Sequence, residues 1–200
     1  MATTVAHGLI GISTYCVLVA VAPKSKQLPL GFKALLLAAI AANIPDFDML
    51  VSLLFLSDHK LLHGGVTHNF AFAGMVALSL WLLGRGRGWP SMVAFSSFFL
   101  VASHVVVDWC TGPQWGLHPS HGLALFWPFS DIPLHSPVTL FKGVVHNDLL
   151  PGALYTALWE LVLVGPPTLG MIYLARKIQT ATRNHNTASA RGGHAVSGEI

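Results

Sequence analysis

The chain has 200 residues, of which 53% are hydrophobic and 10% charged, and its mean hydropathy is +0.61. An ordinary soluble domain carries roughly 25% charged residues, so this composition excludes a disordered chain and a coiled coil, argues against a water-soluble monomer, and fits an integral membrane protein with few exposed loops. The net charge of +3 comes from 11 Lys/Arg against 8 Asp/Glu, and the basic residues fall in short clusters between apolar runs, a topology signal rather than a nucleic-acid surface.

Five apolar stretches are expected to be helical: about residues 8–22, 34–57, 69–84, 90–107 and 152–175. A spanning helix needs roughly 20 apolar residues, so the first and third are slightly short. Ala20-Val21-Ala22 has the small-residue look of a cleavage site. Basic residues follow the run at Lys24 and Lys26 and none precede it, the reverse of a signal peptide, so a retained first helix is expected. The second stretch is broken by Asn43-Ile44-Pro45-Asp46-Phe47-Asp48. Proline suits the first turn of a helix and not its middle. Residues 34–44 therefore read as a short span and 46–57 as a re-entrant or interfacial helix. Residues 178–200 are polar and read as a disordered tail, leaving 1–177 as a single membrane-embedded domain. Cys16 and Cys110 form no CxxC pattern, and no redox compartment follows from them.

Lys24, Lys26 and Lys33 follow the first span, Arg85 and Arg87 the third, and Arg176, Lys177 and Arg183 the fifth. With five spans these segments share one side. The positive-inside rule makes that side cytoplasmic, with the N-terminus outside and the C-terminus inside.

The chemistry-bearing residues then gather at the outer face. His7 opens the first span, Asp46 and Asp48 follow the second, His63 and His68 precede the third, and His104 and Asp108 close the fourth. Each has a bland explanation. His104 and Asp108, spaced i, i+4 on one helix face, would make a hydrogen-bonded pair joining helices. Asp46 and Asp48 would cap a helix N-terminus. His63 and His68 would point about 140° apart on a helix, although Gly64 and Gly65 favour a turn that could bring both rings to one centre. His7 would be a polar helix end. Together, the seven suit a divalent metal: Zn²⁺ first, Mn²⁺ or Fe²⁺ also. Seven ligands exceed one tetrahedral zinc and suit two ions sharing a carboxylate. His59, His146 and Asp148 are read chiefly as loop or cap residues. His118 and His121 lie in a Pro/Gly loop and are read chiefly as loop residues, with substrate contact as the alternative. Trp109, Trp115, Phe126 and Trp127 read as an interfacial aromatic belt. Glu160 sits in the fifth span, where the sequence leaves open whether it faces the bundle interior or a second subunit.

The ordered set His7, Pro45-Asp46-x-Asp48, His63-x-x-x-Thr67-His68 and Ser103-His104-x-x-x-Asp108 resembles the inner-membrane, metal-dependent hydrolase family, whose members include LexA-binding hydrolases. The later run from Gly122 through Phe126-Trp127-Pro128-Phe129-Ser130 is similar to another segment of that family, so the likeness covers about residues 5–135. Two positions depart: Gly64 stands where the family usually has Arg, and Asn69 where it usually has Ser. The resemblance therefore supplies no anion-binding Arg at position 64, and LexA binding does not carry over. A more distant likeness, in ligand order alone, is to zinc-dependent phospholipase C and the single-strand nucleases.

The expectation is an all-α, polytopic membrane protein with about five transmembrane helices and a short re-entrant or interfacial helix. Its expected activity is metal-dependent hydrolysis of an ester or phosphoester at the extracytoplasmic face of the cytoplasmic membrane, with one or two divalent ions, most simply Zn²⁺. His7, Asp46, Asp48, His63, His68, His104 and Asp108 are the expected ligands, Asp46 or Asp48 also acting as bridge or general base, and His121 and Trp127 the candidate substrate contacts. Expected partners are membrane lipid and an amphiphilic or lipid-linked substrate. Nucleic acid is not expected, and no motif indicates a protein partner. The competing readings are a transporter or proton/metal channel, a b-type haem protein, and a non-catalytic scaffold with a structural metal. A channel needs polar residues continuing to the cytoplasmic side, where the first, third and fourth spans have almost none.

Overall fold

Thr3 stops the chain from entering a helix too early: its backbone is extended and its hydroxyl accepts from Val5 N–H, leaving helix α1 to run Thr4–Val21. The computed structural model describes residues 1–23, 27–56, 65–86, 91–143 and 151–195. After α1 come α2 (Phe32–Ala42), α3 (Phe47–Leu56), α4 (Phe70–Arg85), α5 (Ser91–Trp109) and α6 (Pro151–Ala195), with short strands β1 (Thr111–Gly112) and β2 (Phe141–Lys142) between α5 and α6. The helical break falls at Pro45, as the proline dictates, and α3 starts with Asp48 in its first turn. Asn69 caps α4, its side-chain oxygen accepting from Phe72 N–H at 2.9 Å. Asn and Ser are equivalent caps, which explains why Asn69 can stand in the position where Ser is expected.

α1 is central. It packs on α6, α2 and α5, and α4 packs on α5. Close approach of α1 and α2 depends on small residues, as is general for helices in lipid. A Cβ at Gly11 would lie 2.4 Å from Ala42 Cβ and 3.0 Å from the Ala38 carbonyl oxygen. Tyr15, Cys16, Leu18 and Val19 of α1 close one end of the core with Leu35 and Ala38 of α2, Leu100 of α5 and Ala175 of α6. Between α1 and α6, Thr168 links to Ser13 Oγ at 2.9 Å and donates to Leu9 O at 3.3 Å.

The outward faces are apolar. Leu78, Leu82 and Leu83 of α4 and Leu158, Val162, Leu169 and Tyr173 of α6 are exposed, as suits helices solvated by lipid. Among the described residues, three helices are long and apolar enough to cross a bilayer: Thr4–Val21, Ser91–Trp109 and Gly152–Asn184. With 11 and 16 residues, α2 and α4 reach only about 16 and 24 Å against a hydrocarbon core of about 30 Å. The expected five spans are thus three of full length and two shorter apolar helices. α6 runs as helix to Ala195. No proline follows Pro167 to interrupt its hydrogen-bond ladder.

Residues 110–143 fold over one end of the bundle. β1 and β2 pair in parallel, Thr111 with Phe141 and Gly112 with Lys142. Bridges join Gly116 to Thr139 and Leu123 to Leu134. Leu123 and Leu125 pack with Val105 of α5, and Phe70 N–H donates to Leu125 O, so this cap is seated on the start of α4 and the end of α5.

Candidate metal centre

Four chain segments reach the capped end. They are the start of α1 with His7, the turn after α2 with Asp46, the approach to α4 with His68, and the end of α5 with His104 and Asp108. His7, His68, His104 and Asp108 are buried. Asp46 is the least enclosed of the group, with 16% of its side chain exposed. Donor atoms of His7, Asp46, His104 and Asp108 all lie within 4.8 Å of one another, and these four residues could hold a metal ion.

The Asp108 carboxylate faces all three rings. Its Oδ1 is 3.4 Å from His7 Nε2, and its Oδ2 is 3.2 Å from His104 Nε2 and 3.5 Å from His68 Nε2. Asp46 Oδ1 is 3.4 Å from His104 Nε2 and 3.6 Å from His68 Nε2. The His7 and His104 rings stack, with centroids 3.6 Å apart. Ala2 N–H donates to Asp108 Oδ1 at 3.0 Å.

Groups behind the rings decide which nitrogen carries the proton. His104 Nδ1 lies 2.8 Å from Ala42 O. A carbonyl only accepts, so Nδ1 is protonated and Nε2 is the ring atom turned to the centre. Thr67 donates its hydroxyl proton to Asp48 Oδ2, so its oxygen accepts from His68 Nδ1 at 2.8 Å, and His68 Nε2 is the ring atom that faces Asp46 and Asp108. Asp48 Oδ2 is 3.4 Å from that same Nδ1. Asp48 thus stands behind His68, on the ring edge away from Asp46 and Asp108.

Three ring nitrogens therefore face two carboxylates, an arrangement held either by protons or by a cation between them. An N⁺–H···O⁻ bond is about 2.7–2.9 Å long. Two ligands each about 2.0–2.1 Å from a tetrahedral ion sit about 3.3–3.4 Å apart. The separations of 3.2–3.6 Å lie near the spacing that ligands of one ion would have. His7 Nε2, His104 Nε2 and Asp108 Oδ2 are buried with no hydrogen-bond partner among the described residues, as expected of atoms reserved for an ion.

Two groups outside the helical spans show the electrostatics. Burial by itself raises the Asp46 carboxyl, but His104 and His68 outweigh it and hold Asp46 well below the usual carboxylate range. Burial by itself lowers His68, but Asp46 and Asp48 outweigh it and raise it above the ordinary histidine value.

Of the sequence-selected ligands, the structure brings together His7, Asp46, His68, His104 and Asp108, with Asp48 one step back. His63 lies outside the described residues, as do His59, His146 and Asp148. His121 is exposed in the cap, with its backbone N–H on Thr111 O, and Trp127 is half-buried in a turn closed on Ala124 O. Neither belongs to the buried cluster. The backbone groups Ala2 N–H and Ala42 O escape sequence reading because any residue carries them. Thr67 was visible only as part of the motif.

An apolar helical chain with a buried His/Asp centre at the mouth of its bundle defines a class, the membrane protein with a candidate metal site. More narrowly, the chain belongs to the YdjM inner membrane protein family, whose model matches residues 1–183. Comparisons with curated proteins and with solved structures find no significant match.

Proposed function

We propose that this protein is a membrane-bound, metal-dependent hydrolase that cleaves an ester or phosphoester, lipid-linked in the simplest case, at the extracytoplasmic face. The observation that carries the reading is the convergence of donor atoms of His7, Asp46, His104 and Asp108 within 4.8 Å of one another. Two neutral imidazoles and two carboxylates around one point suit Zn²⁺, with Mn²⁺ and Fe²⁺ also compatible. His7, Asp46, His104 and Asp108 account for one ion. His68, within 3.6 Å of both carboxylates, is the natural fifth ligand or the start of a second site.

An ion held there supplies Lewis acidity and acidifies a water. The chain's own residues do the rest. Asp46, ionised and partly exposed, takes the proton of the attacking water as general base. Ala2 N–H and the rings of His7 and His104 hold Asp108 in place. Asp48 and Thr67 fix the tautomer of His68, the usual task of groups behind a metal-bound imidazole. The stacked rings and the 110–143 cap exclude bulk water from the inner side. The capped end is opposite the Lys/Arg clusters along the chain, which supports an N-out, C-in orientation and places the site where membrane lipid is the nearest ester. His121 and Trp127, in the cap, are the proposed substrate contacts.

The test combines metal and turnover. Detergent-purified wild type is analysed by elemental mass spectrometry beside H104A/D108A, then assayed on lipid phosphoesters and carboxylic esters. One or two equivalents of metal, lost in the double variant, together with turnover that D46N lowers by about 10²–10⁴-fold, is the expected result. Folded wild type that takes up no metal overturns the centre. Metal without turnover of any ester overturns the hydrolase and leaves a structural ion.

A further inference from the structure

α6 brings no ligand to the cluster among the described residues, yet it carries a carboxylate, Glu160, that is 1% exposed in an otherwise apolar stretch. Thr3 N–H donates to Glu160 Oε1 at 3.1 Å and to Oε2 at 3.3 Å. The Thr3 hydroxyl also bonds Oε2. Glu160 therefore closes on the first turn of α1, where unsatisfied N–H groups and the helix dipole favour a negative charge. One residue earlier, Ala2 N–H donates to Asp108 Oδ1 at 3.0 Å. One turn later, His7 N–H bonds Thr3 O at 3.3 Å. The peptide that Glu160 grips thus leads in one direction to a group holding Asp108 and in the other to His7.

We propose that Glu160 is a positioning residue of the metal centre: by clamping Thr3 it sets Ala2 N–H on Asp108 and His7 against His104. The proposal rests on the metal-centre reading. A buried carboxylate costs several kcal/mol unless it is well partnered, and a helix-to-helix link of ordinary strength is available more cheaply from a hydroxyl. Thr168 provides one between the same two helices, bonding Leu9 O and Ser13. Glu160 differs from Thr168 in its placement: its contacts end on the peptide that bonds a candidate ligand.

That contrast supplies the experiment. Full-length protein in detergent is titrated with Zn²⁺ against a chromophoric chelator, and the Co²⁺ form is examined by visible absorption, which reports ligand geometry. Glu160→Gln, nearly isosteric, removes the negative charge at the α1 N-terminus and leaves Thr3 N–H one acceptor oxygen in place of two. It is expected to weaken Zn²⁺ binding by about 10–100-fold, as loss of a ligand-supporting group does, and to alter the Co²⁺ bands. Thr168→Val, which breaks the other α1–α6 link, is expected to leave both unchanged. Wild-type affinity and bands in E160Q overturn the proposal. So does a T168V variant as impaired as E160Q, since the clamp would then be general packing. If E160Q does not fold, Thr3→Val, which removes the hydroxyl contact and keeps Glu160, carries the same comparison. Wild type that binds no metal fails the underlying centre, an outcome distinct from wild type that binds and an E160Q that binds equally.

Discussion

Gly11→Ala adds one methyl group at the tightest point between α1 and α2, and its consequence reaches the candidate metal centre. The new Cβ would sit 2.4 Å from Ala42 Cβ and 3.0 Å from Ala38 O. Carbon atoms prefer about 3.5–4.0 Å, so the helices must separate by about 1.1–1.6 Å. Both obstacles belong to the α2 end that supplies Ala42 O to His104 Nδ1 at 2.8 Å. Displacing that carbonyl by even 1 Å takes the contact beyond hydrogen-bond range and releases the His104 tautomer. Overpacking of this kind costs about 1–3 kcal/mol, and losing a group that orients a ligand costs about 10–100-fold in metal affinity. Gly8→Ala is the control: its Cβ would meet Ala39 Cβ and Asn43 Nδ2 at 3.6 Å, ordinary contact. Thermal unfolding in detergent and Zn²⁺ competition titration should show G11A impaired in both and G8A close to wild type. A G11A variant with wild-type affinity would refute the route from helix packing to His104, and equal damage in G8A would show that any methyl on this face is disruptive.

Further predictions follow from the same geometry. Asp48→Asn removes the carboxylate behind His68, and Zn²⁺ affinity should fall by about 10–100-fold, with Asp46→Asn falling more in turnover than in binding; equal profiles for the two would remove the distinction between supporting and proton-accepting carboxylates. Protons and metal compete for His68 Nε2, whose basicity Asp46 and Asp48 raise above the ordinary histidine value, so affinity should rise with pH by about tenfold per unit for each proton displaced; a His68→Ala variant with the wild-type pH profile would remove His68 from the ligand set. Gly122 has φ +82°, and a Cβ there would lie 2.8 Å from the His135 ring. Gly122→Ala should therefore lower the unfolding temperature by more than the about 1–2 kcal/mol left-handed penalty alone, with metal content retained if the cap folds separately from the centre.

The sequence by itself determined the membrane class, the break at Pro45, the helical runs, and the residue types of the centre. Hydropathy and proline act locally, and His and Asp in apolar surroundings are expensive enough to stand out. His104 and Asp108 were legible as a pair because one helix face carries both. The span count was not, because whether an 11-residue helix crosses or merely enters a bilayer depends on what covers its ends. Asp46 and Asp48 look alike in sequence, and only the turn after Pro45 sends one to the cluster and the other behind His68. The partner of Glu160 was undecided in sequence because it is 157 residues away and is a backbone N–H, a group every residue but proline possesses. Tertiary structure decided these points by bringing the start of α1 between α5 and α6, where glycine contacts and buried polar bonds, rather than any local pattern, fix the register.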